Sequence, residues 1–102
     1  MQTIVLFENL TAVGPGPAVK VDQRCRTVQI VGYTASGVGS ATVNVEVSNN
    51  GTDWVPYDTV VLALSTTRAS AIVIVDETYT FTRGNVTAIA GTGAQTSGYM
   101  GV

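Results

Sequence analysis

Hydrophobic and polar residues alternate along much of this chain, most regularly between residues 42 and 48. Val43, Val45 and Val47 fall on one side of that segment, whereas Thr, Asn, Glu and Ser fall on the other. Because successive side chains of a β-strand point to opposite faces of a sheet, this alternation predicts a strand with one buried face and one face in water. No window of ten or more residues follows the 3.6-residue period of a helix, so the pattern indicates an all-β protein.

Eight segments rich in Val, Ile, Thr and aromatic residues are predicted as strands, and turn residues separate them. They cover residues 3–10, 18–21, 27–33, 42–48, 54–64, 71–75, 77–89 and 95–101. The second segment could instead be an extended linker, and Gly84 could divide the seventh. The chain is therefore predicted to form one domain over residues 1–102, a single antiparallel β-sandwich of about seven to eight strands with a Greek-key or jelly-roll arrangement.

The connecting segments carry recognisable turn chemistry. Residues 14–17 read Gly-Pro-Gly-Pro and should end the first strand, because proline cannot donate to a strand ladder. Residues 34–40 are rich in Gly and Ser and are predicted as a flexible loop. The Asn50-Gly51 pair is a strong hairpin signal between two of the predicted strands. Residues 60–64 contain Leu and Ala, but the flanking Val and Thr favour a strand over a helix.

The composition argues against an enzyme. The chain has no histidine, one cysteine and seven carboxylates, so it lacks the groups that most often transfer protons or bind transition metals. Asp76 and Glu77 are adjacent and would point to opposite faces of a strand, which makes them a poor acid–base pair. Cys25 lies between Arg24 and Arg26 but has no histidine to act as its base, so a buried free thiol is favoured. We therefore predict no catalytic residue and no cofactor.

Two local groups of residues suggest binding. Asn49, Asn50 and Asp53 provide oxygen ligands, but one carboxylate is too few for calcium, and a hairpin turn explains these residues better. Trp54 and Tyr57 could form an aromatic platform for a sugar ring, although a lone tryptophan at the start of a sandwich strand more often packs over the core. No metal site is predicted, and the Trp54–Tyr57 platform is retained as the weaker of two candidate binding sites.

Charge points to a protein partner. The net charge is −2 with only five basic residues, which argues against nucleic acid. Charged residues make up 12% of the chain, about half the usual ~25%. A surface of Thr, Ser, Asn and methyl groups loses little hydration free energy on burial, so it suits a chain that binds a partner. The alternative is a monomer whose surface is polar but uncharged. Neither a secretory signal nor a membrane-spanning stretch is recognised, and a lone cysteine forms no internal disulfide, so synthesis in a cytoplasm is expected.

Several segments within residues 27–102 carry a resemblance to a known family. They are Val-Glu-Val-Ser-Asn-Asn-Gly-Thr-Asp-Trp-Val-Pro at 45–56, Val-Val-Leu at 60–62, Tyr-x-Phe-x-Arg-x-Asn-Val-Thr-Ala-Ile at 79–89, Gly-Thr-Gly at 91–93 and Tyr-Met-Gly at 99–101. Together they resemble small β-sandwich virion proteins of tailed bacteriophages, which include capsid decoration or cement proteins and head or tail accessory domains. Gly84 departs from that family, whose members commonly carry a bulkier residue there.

The resemblance implies a non-catalytic structural protein of the virion capsid that is made in the host cytoplasm. Such a protein binds between major capsid protein subunits and stabilises the phage head, and it forms a homo-oligomer, with a trimer favoured. Two other functions remain open, namely a tail or baseplate accessory domain that binds carbohydrate and a head-to-tail adaptor.

The main candidate interface is a terminal strand with its following loop, because a terminal strand can add to the exposed edge of a neighbour's sheet. Its residues are Gln2, Thr3, Ile4, Val5, Phe7, Gly14, Pro15 and Pro17.

Overall fold

The computed structural model describes residues 3–20, 26–75 and 79–101, and these residues form nine β-strands and no helix. The strands are β1 Thr3–Leu10, β2 Gly14–Pro15, β3 Val19–Lys20, β4 Arg26–Tyr33, β5 Ser36–Ser48, β6 Val55–Leu64, β7 Ala69–Val75, β8 Phe81–Thr92 and β9 Gln95–Gly101. Only β2 and β3 are as short as two residues. Residues 60–64 are strand, as predicted. Gln2, Arg24, Cys25, Asp76 and Glu77 lie outside the described residues, so the expectations for them stay predictions.

The strands form two antiparallel sheets packed face to face. One sheet has four strands in the order β1-β9-β4-β7, and the other has five, in the order β2-β8-β5-β6 with β3 also pairing with β8. The pairing is nested: β1 pairs with β9, β2 and β3 with β8, β4 with β7, and β5 with β6. A long antiparallel hairpin rolled into two sheets in this way is a jelly roll, in which β2 and β3 share one strand position. The predicted antiparallel sandwich is therefore confirmed.

The chain crosses between the sheets at a double corner where β4 leads into β5 and β8 leads into β9. The backbone N–H of Ala35 donates to the carbonyl of Thr92 at 3.0 Å, which joins the two crossing segments. The prediction of a loop over residues 34–40 is wrong, because β5 already begins at Ser36. Gly39 allows this early start, since a Cβ atom there would collide with the carbonyl oxygen of Ala90 on the neighbouring β8.

The core lies between the sheets, and all seven long strands contribute to it. Val43 and Val45 are fully buried and Val47 is nearly so, as the alternation predicts. Two consecutive residues of β1, Leu6 and Phe7, are both buried because a register shift between Val5 and Phe7 interrupts the alternation. The buried hydrophobic cluster comprises Leu6, Phe7, Val28, Ile30, Ala41, Val43, Val45, Val60, Leu62, Leu64, Val73, Val75, Val86, Ala94 and Met100.

Phe7 occupies a space that two glycines leave open. Gly98 lies opposite Phe7 on β9, and Gly84 faces it from β8 of the other sheet. A Cβ atom added at Gly98 would lie 2.5 Å from Cε1 of the phenyl ring, and one added at Gly84 would lie closer still. The break considered at Gly84 is not present, since β8 runs continuously from Phe81 to Thr92. Gly84 therefore leaves room for the Phe7 ring and does not interrupt the strand.

The first strand ends before the Gly-Pro-Gly-Pro segment, as predicted, but part of that segment pairs with the other sheet. Gly14 and Pro15 form β2 opposite Val86 and Asn85 of β8, and the N–H of Gly16 donates to the carbonyl of Gly84 at 2.7 Å. Proline is tolerated here because β2 is an edge strand, where a missing N–H can face solvent.

Thr82 places an unpaired hydroxyl in the core. Its side chain is fully buried, and its Oγ1 has no hydrogen-bond partner. We expect Thr82→Val to raise the free energy of unfolding by about 1–2 kcal/mol, because a methyl group of the same shape removes the desolvation cost of the hydroxyl. Thermal denaturation should show a Tm increase of roughly 5–10 °C.

Thr96→Val is the matched control for this prediction. Thr96 is equally buried, but its Oγ1 donates to the carbonyl of Val31 at 2.9 Å. The same substitution should lower stability there by about 1 kcal/mol, because it removes a formed hydrogen bond. Equal effects at the two positions would contradict the assignment of an unsatisfied hydroxyl at Thr82.

Candidate functional site

The outer face of the four-stranded sheet carries two adjacent rows of uncharged side chains. Val5 lies opposite Tyr99, which lies opposite Gln29, which in turn lies opposite Ile72. The next row contains Thr3, Gly101, Thr27 and Ile74. We call these eight residues the uncharged face. Val5, Ile72 and Ile74 expose 47%, 60% and 65% of their surface, so large aliphatic groups stand in water on this face.

The size of the uncharged face limits what it can do alone. Four strands and two rows of side chains cover on the order of 300 Å² at the usual strand and residue spacings. The largest apolar patch of an ordinary monomer has about this size. A stable interface covers roughly 800 Å² on each partner. The face can therefore support a weak contact, or form the centre of a larger one.

Seven of the eight residues of the predicted terminal interface are described, and they belong to different parts of the fold. Thr3 and Val5 belong to the uncharged face, whereas Ile4 is partly buried against the core. Phe7 is 4% exposed and is part of the core, so its ring is not on the surface. Gly14, Pro15 and Pro17 lie along β8 of the other sheet, where both prolines are exposed. The loop nevertheless lies against β1, since a Cβ atom added at Gly16 would lie 3.2 Å from Phe7 Cβ and 3.4 Å from the carbonyl oxygen of Leu6.

The outer face of the five-stranded sheet carries a polar cluster of Glu46, Trp54, Arg83 and Asn85. Arg83 Nε donates to Glu46 Oε1 at 2.7 Å, and Asn85 Nδ2 donates to Glu46 Oε2 at 3.1 Å. The guanidinium carbon of Arg83 lies 4.3 Å from the centroid of the Trp54 ring. Because Glu46 is only 6% exposed, the prediction that this side of β5 lies in water is wrong for Glu46, which Arg83 and its neighbours cover.

The polar cluster provides hydrogen-bond donors for the Glu46 carboxylate. Both carboxylate oxygens of Glu46 already accept a bond, and one face of the indole lies against Arg83. A cation–π stack of this kind stabilises the arginine while orienting it toward the carboxylate. The cluster therefore holds neighbouring strands β5 and β8 and the start of β6 together.

Trp54 and Tyr57 do not share a binding surface. Trp54 stacks on Arg83, outside the core cluster. Tyr57 packs against the core and meets Tyr79 edge to face, with 6.0 Å between the ring centroids. Tyr57 and Tyr79 line an open cavity of about 280 Å³ that Trp54 does not border. Drug-sized ligands usually occupy roughly 300–1,000 Å³, so this cavity lies just below the usual size of a ligand site.

The Asn-Gly segment forms the predicted hairpin connection, as a loop between Ser48 and Val55. Asn50 Oδ1 accepts from the N–H groups of Thr52 and Asp53 at 2.9 and 2.8 Å, and its Nδ2 donates to Asp53 Oδ2 at 2.9 Å. Gly51 has a φ of 76°, a conformation that favours glycine. Of the side-chain oxygens considered as calcium ligands, those of Asn50 and Asp53 thus bind the loop to itself, whereas Asn49 Oδ1 accepts from the N–H of Thr80 at 3.4 Å.

The sequence pattern does not predict that Ile72 and Ile74 are exposed. Residues 71–75 are apolar at every position, so their period cannot tell which side chains face the core. The pairing register with β4 determines which side chains face the core. Val73 lies opposite the buried Val28, whereas Ile72 and Ile74 lie opposite polar residues.

Comparisons with protein-family models, with curated proteins and with solved structures find no match to this chain. No helix in the described ranges is long and apolar enough to cross a membrane.

Proposed function

We propose that this protein is a structural virion protein, a capsid decoration or cement protein that binds between major capsid protein subunits and stabilises a phage head without catalysis. The observation that carries the proposal is the uncharged face, on which Val5, Ile72 and Ile74 are exposed and none of the eight residues carries a charge. Such a face loses little hydration free energy when a partner covers it.

The modest size of the face fits repeated attachment. A contact of on the order of 300 Å² gives weak affinity for each copy. A particle that presents many equivalent sites can nevertheless hold an oligomer firmly, because linked weak contacts raise the overall avidity by about 10²–10⁴-fold. The jelly roll is compatible with this function, since viral capsid domains use it, but lectin domains and enzymes use it as well. The resemblance of segments within residues 27–102 to phage virion proteins is the reason for choosing the major capsid protein as the partner.

The number of copies of this chain in each purified virus particle tests the proposal. Quantitative mass spectrometry against the major capsid protein should give hundreds of copies in a simple ratio to that protein. A dozen or fewer copies would place the chain at the neck or tail and favour the head-to-tail adaptor or the carbohydrate-binding domain. Absence from particles would overturn a virion function.

Gln29→Glu tests the uncharged face directly. Gln29 lies near the middle of the face, between Tyr99 and Ile72, and the substitution adds one negative charge without changing the shape of the side chain. Because the new carboxylate must lose its hydration in the contact, binding to particles that lack this protein should weaken at least about tenfold.

Ala63→Glu is the matched control. Ala63 is exposed on β6 of the other sheet, so it receives the same charge away from the uncharged face. Particle binding measured by co-sedimentation should be unchanged in this variant. Equal loss in both variants would indicate a response to net charge and would remove the uncharged face from the proposal.

A further inference from the structure

The two sheets have four edges, and three of them carry features that prevent pairing with another chain. The β1 edge has two register shifts and the charged Glu8. The β6 edge contains Pro56 and Asp58 next to a register shift in β5. The edge formed by β2 and β3 is made of two-residue strands, with Pro15 in β2, Pro17 after it and Lys20 in β3. Irregularity, proline and charge are the usual devices that keep sheet edges from associating.

The fourth edge, β7, lacks all of these devices. Its seven residues read Ala-Ser-Ala-Ile-Val-Ile-Val, without a charge, a proline or a glycine. It pairs with β4 in unbroken register from Ala69 to Val75, and within the described part of the chain it pairs with no other strand. A regular uncharged strand of this composition at a sheet edge is a ready template for further strand pairing.

We propose that β7 pairs antiparallel with β7 of a second copy of this chain, so that two four-stranded sheets join into one continuous eight-stranded sheet. A twofold axis near Ile72 places each strand against its own copy, which makes the contact isologous. The sequence of β7 indicates that its partner is a second copy of this chain. β7 carries no charge that an oppositely charged partner could recognise, and it can pair with the same strand running in the opposite direction.

The side chains of β7 suit this self-pairing on both faces of the sheet. On the outer face, Ile72 of one copy would lie opposite Ile72 of the other, and Ile74 would lie opposite Ser70. Cross-strand pairs of β-branched residues such as Ile72 stabilise antiparallel sheets. On the inner face, the buried Val73 and Val75 would bring the two cores to the junction. The backbones would add about six hydrogen bonds across it.

The pairing would also enlarge the uncharged face. Ile72 and Ile74 lie at the β7 end of both rows, so the faces of two copies would become continuous across the junction. The combined surface of about 600 Å² approaches what one partner contributes to a stable interface. The dimer nevertheless stands independently of the virion proposal, and it differs from the trimer that the family resemblance implies.

The mass of the purified full-length protein in solution tests the inference. Sedimentation equilibrium between 1 and 100 μM should show a monomer–dimer equilibrium for the unmodified chain. Ile72→Lys should raise the dimer dissociation constant at least about tenfold, because it places two like charges at the junction. Amide hydrogen exchange should show β7 amides that are protected at high protein concentration and lose that protection in Ile72→Lys.

Val61→Lys is the control, since Val61 is 69% exposed on β6, the edge strand of the other sheet, and receives the same charge. Its dimer dissociation constant should equal that of the unmodified chain, and circular dichroism should show both variants folded. A monomer at 100 μM, a trimer, or a dimer that Ile72→Lys leaves intact would each overturn the β7 pairing. Copy number in particles does not enter this experiment, so the two proposals can fail separately.

Discussion

Phe7→Ala is expected to lower the free energy of unfolding by about 3–5 kcal/mol. The phenyl ring is 4% exposed and fills the space between Gly84 and Gly98, which have no side chains to move into the cavity that its loss would leave. A domain of this size typically has about 5–15 kcal/mol of stability in total, so the variant should be close to unfolding. Urea denaturation followed by circular dichroism measures the change.

A double-mutant cycle tests whether the Phe7 ring and Gly84 interact. Gly84→Ala alone should destabilise by about 1–3 kcal/mol, because its Cβ would collide with the Phe7 ring. Combined with Phe7→Leu, the added methyl group should cost less than it does against phenylalanine, giving a favourable coupling of about 1 kcal/mol. Val38→Ala, at a position 82% exposed, serves as the control and should change little. Strict additivity of the pair would show that the ring and Gly84 do not interact.

Arg83→Met is expected to cost about 2–4 kcal/mol, the second largest effect. Methionine can keep the contact with Trp54, but the substitution leaves the Glu46 carboxylate, whose side chain is 9% exposed, without its cationic partner. The residual exposure of Arg83, 22% of its side chain, places the effect below that of a fully buried pair. Chemical denaturation at pH 7 measures it.

The double variant Glu46→Gln/Arg83→Met identifies the cause. Neutralising the carboxylate should recover at least about 1 kcal/mol of the loss, because no buried charge then remains unpaired. If the double variant were less stable than Arg83→Met alone, packing of the guanidinium on Trp54, and not the ion pair, would account for the effect. Asn85 remains in both variants and can hydrogen-bond either a carboxylate or an amide.

The local sequence pattern predicts the strands of this protein well where hydrophobic and polar residues alternate regularly. It predicts them poorly where contact with another strand determines the backbone geometry. The segment 42–48 alternates cleanly, and its valines are buried as expected. From the local sequence alone, Gly39 predicts a loop and Gly84 predicts a break in a strand. Both lie in continuous strands, because the space for a side chain is taken by Ala90 in one case and by Phe7 in the other. Contacts between residues far apart in sequence leave no local signal.

The candidate site shows the same limit. Glu46 follows the alternation onto the outer face, but its burial depends on Arg83 and Trp54, which lie 37 and 8 positions along the chain. The residues of the uncharged face come from four strands, and the nested pairing determines the order of these strands in the sheet. Periodicity assigns a side chain to one of two faces, but it does not state which strands lie beside each other, so the grouping of Val5, Tyr99 and Ile72 could not be anticipated.

The nested pairing also sets an order of events during synthesis. β9, the last described strand to leave the ribosome, lies in the interior of the four-stranded sheet between β1 and β4. Until it emerges, β1 has no partner in its sheet and β4 keeps one side open. Assembly of that sheet is therefore postponed until Gln95–Gly101 has been synthesised, and such distant pairings fold slowly, in about milliseconds to seconds. Until then a nascent chain of this protein exposes unpaired apolar strands, and this is the period in which chaperone binding would protect it most.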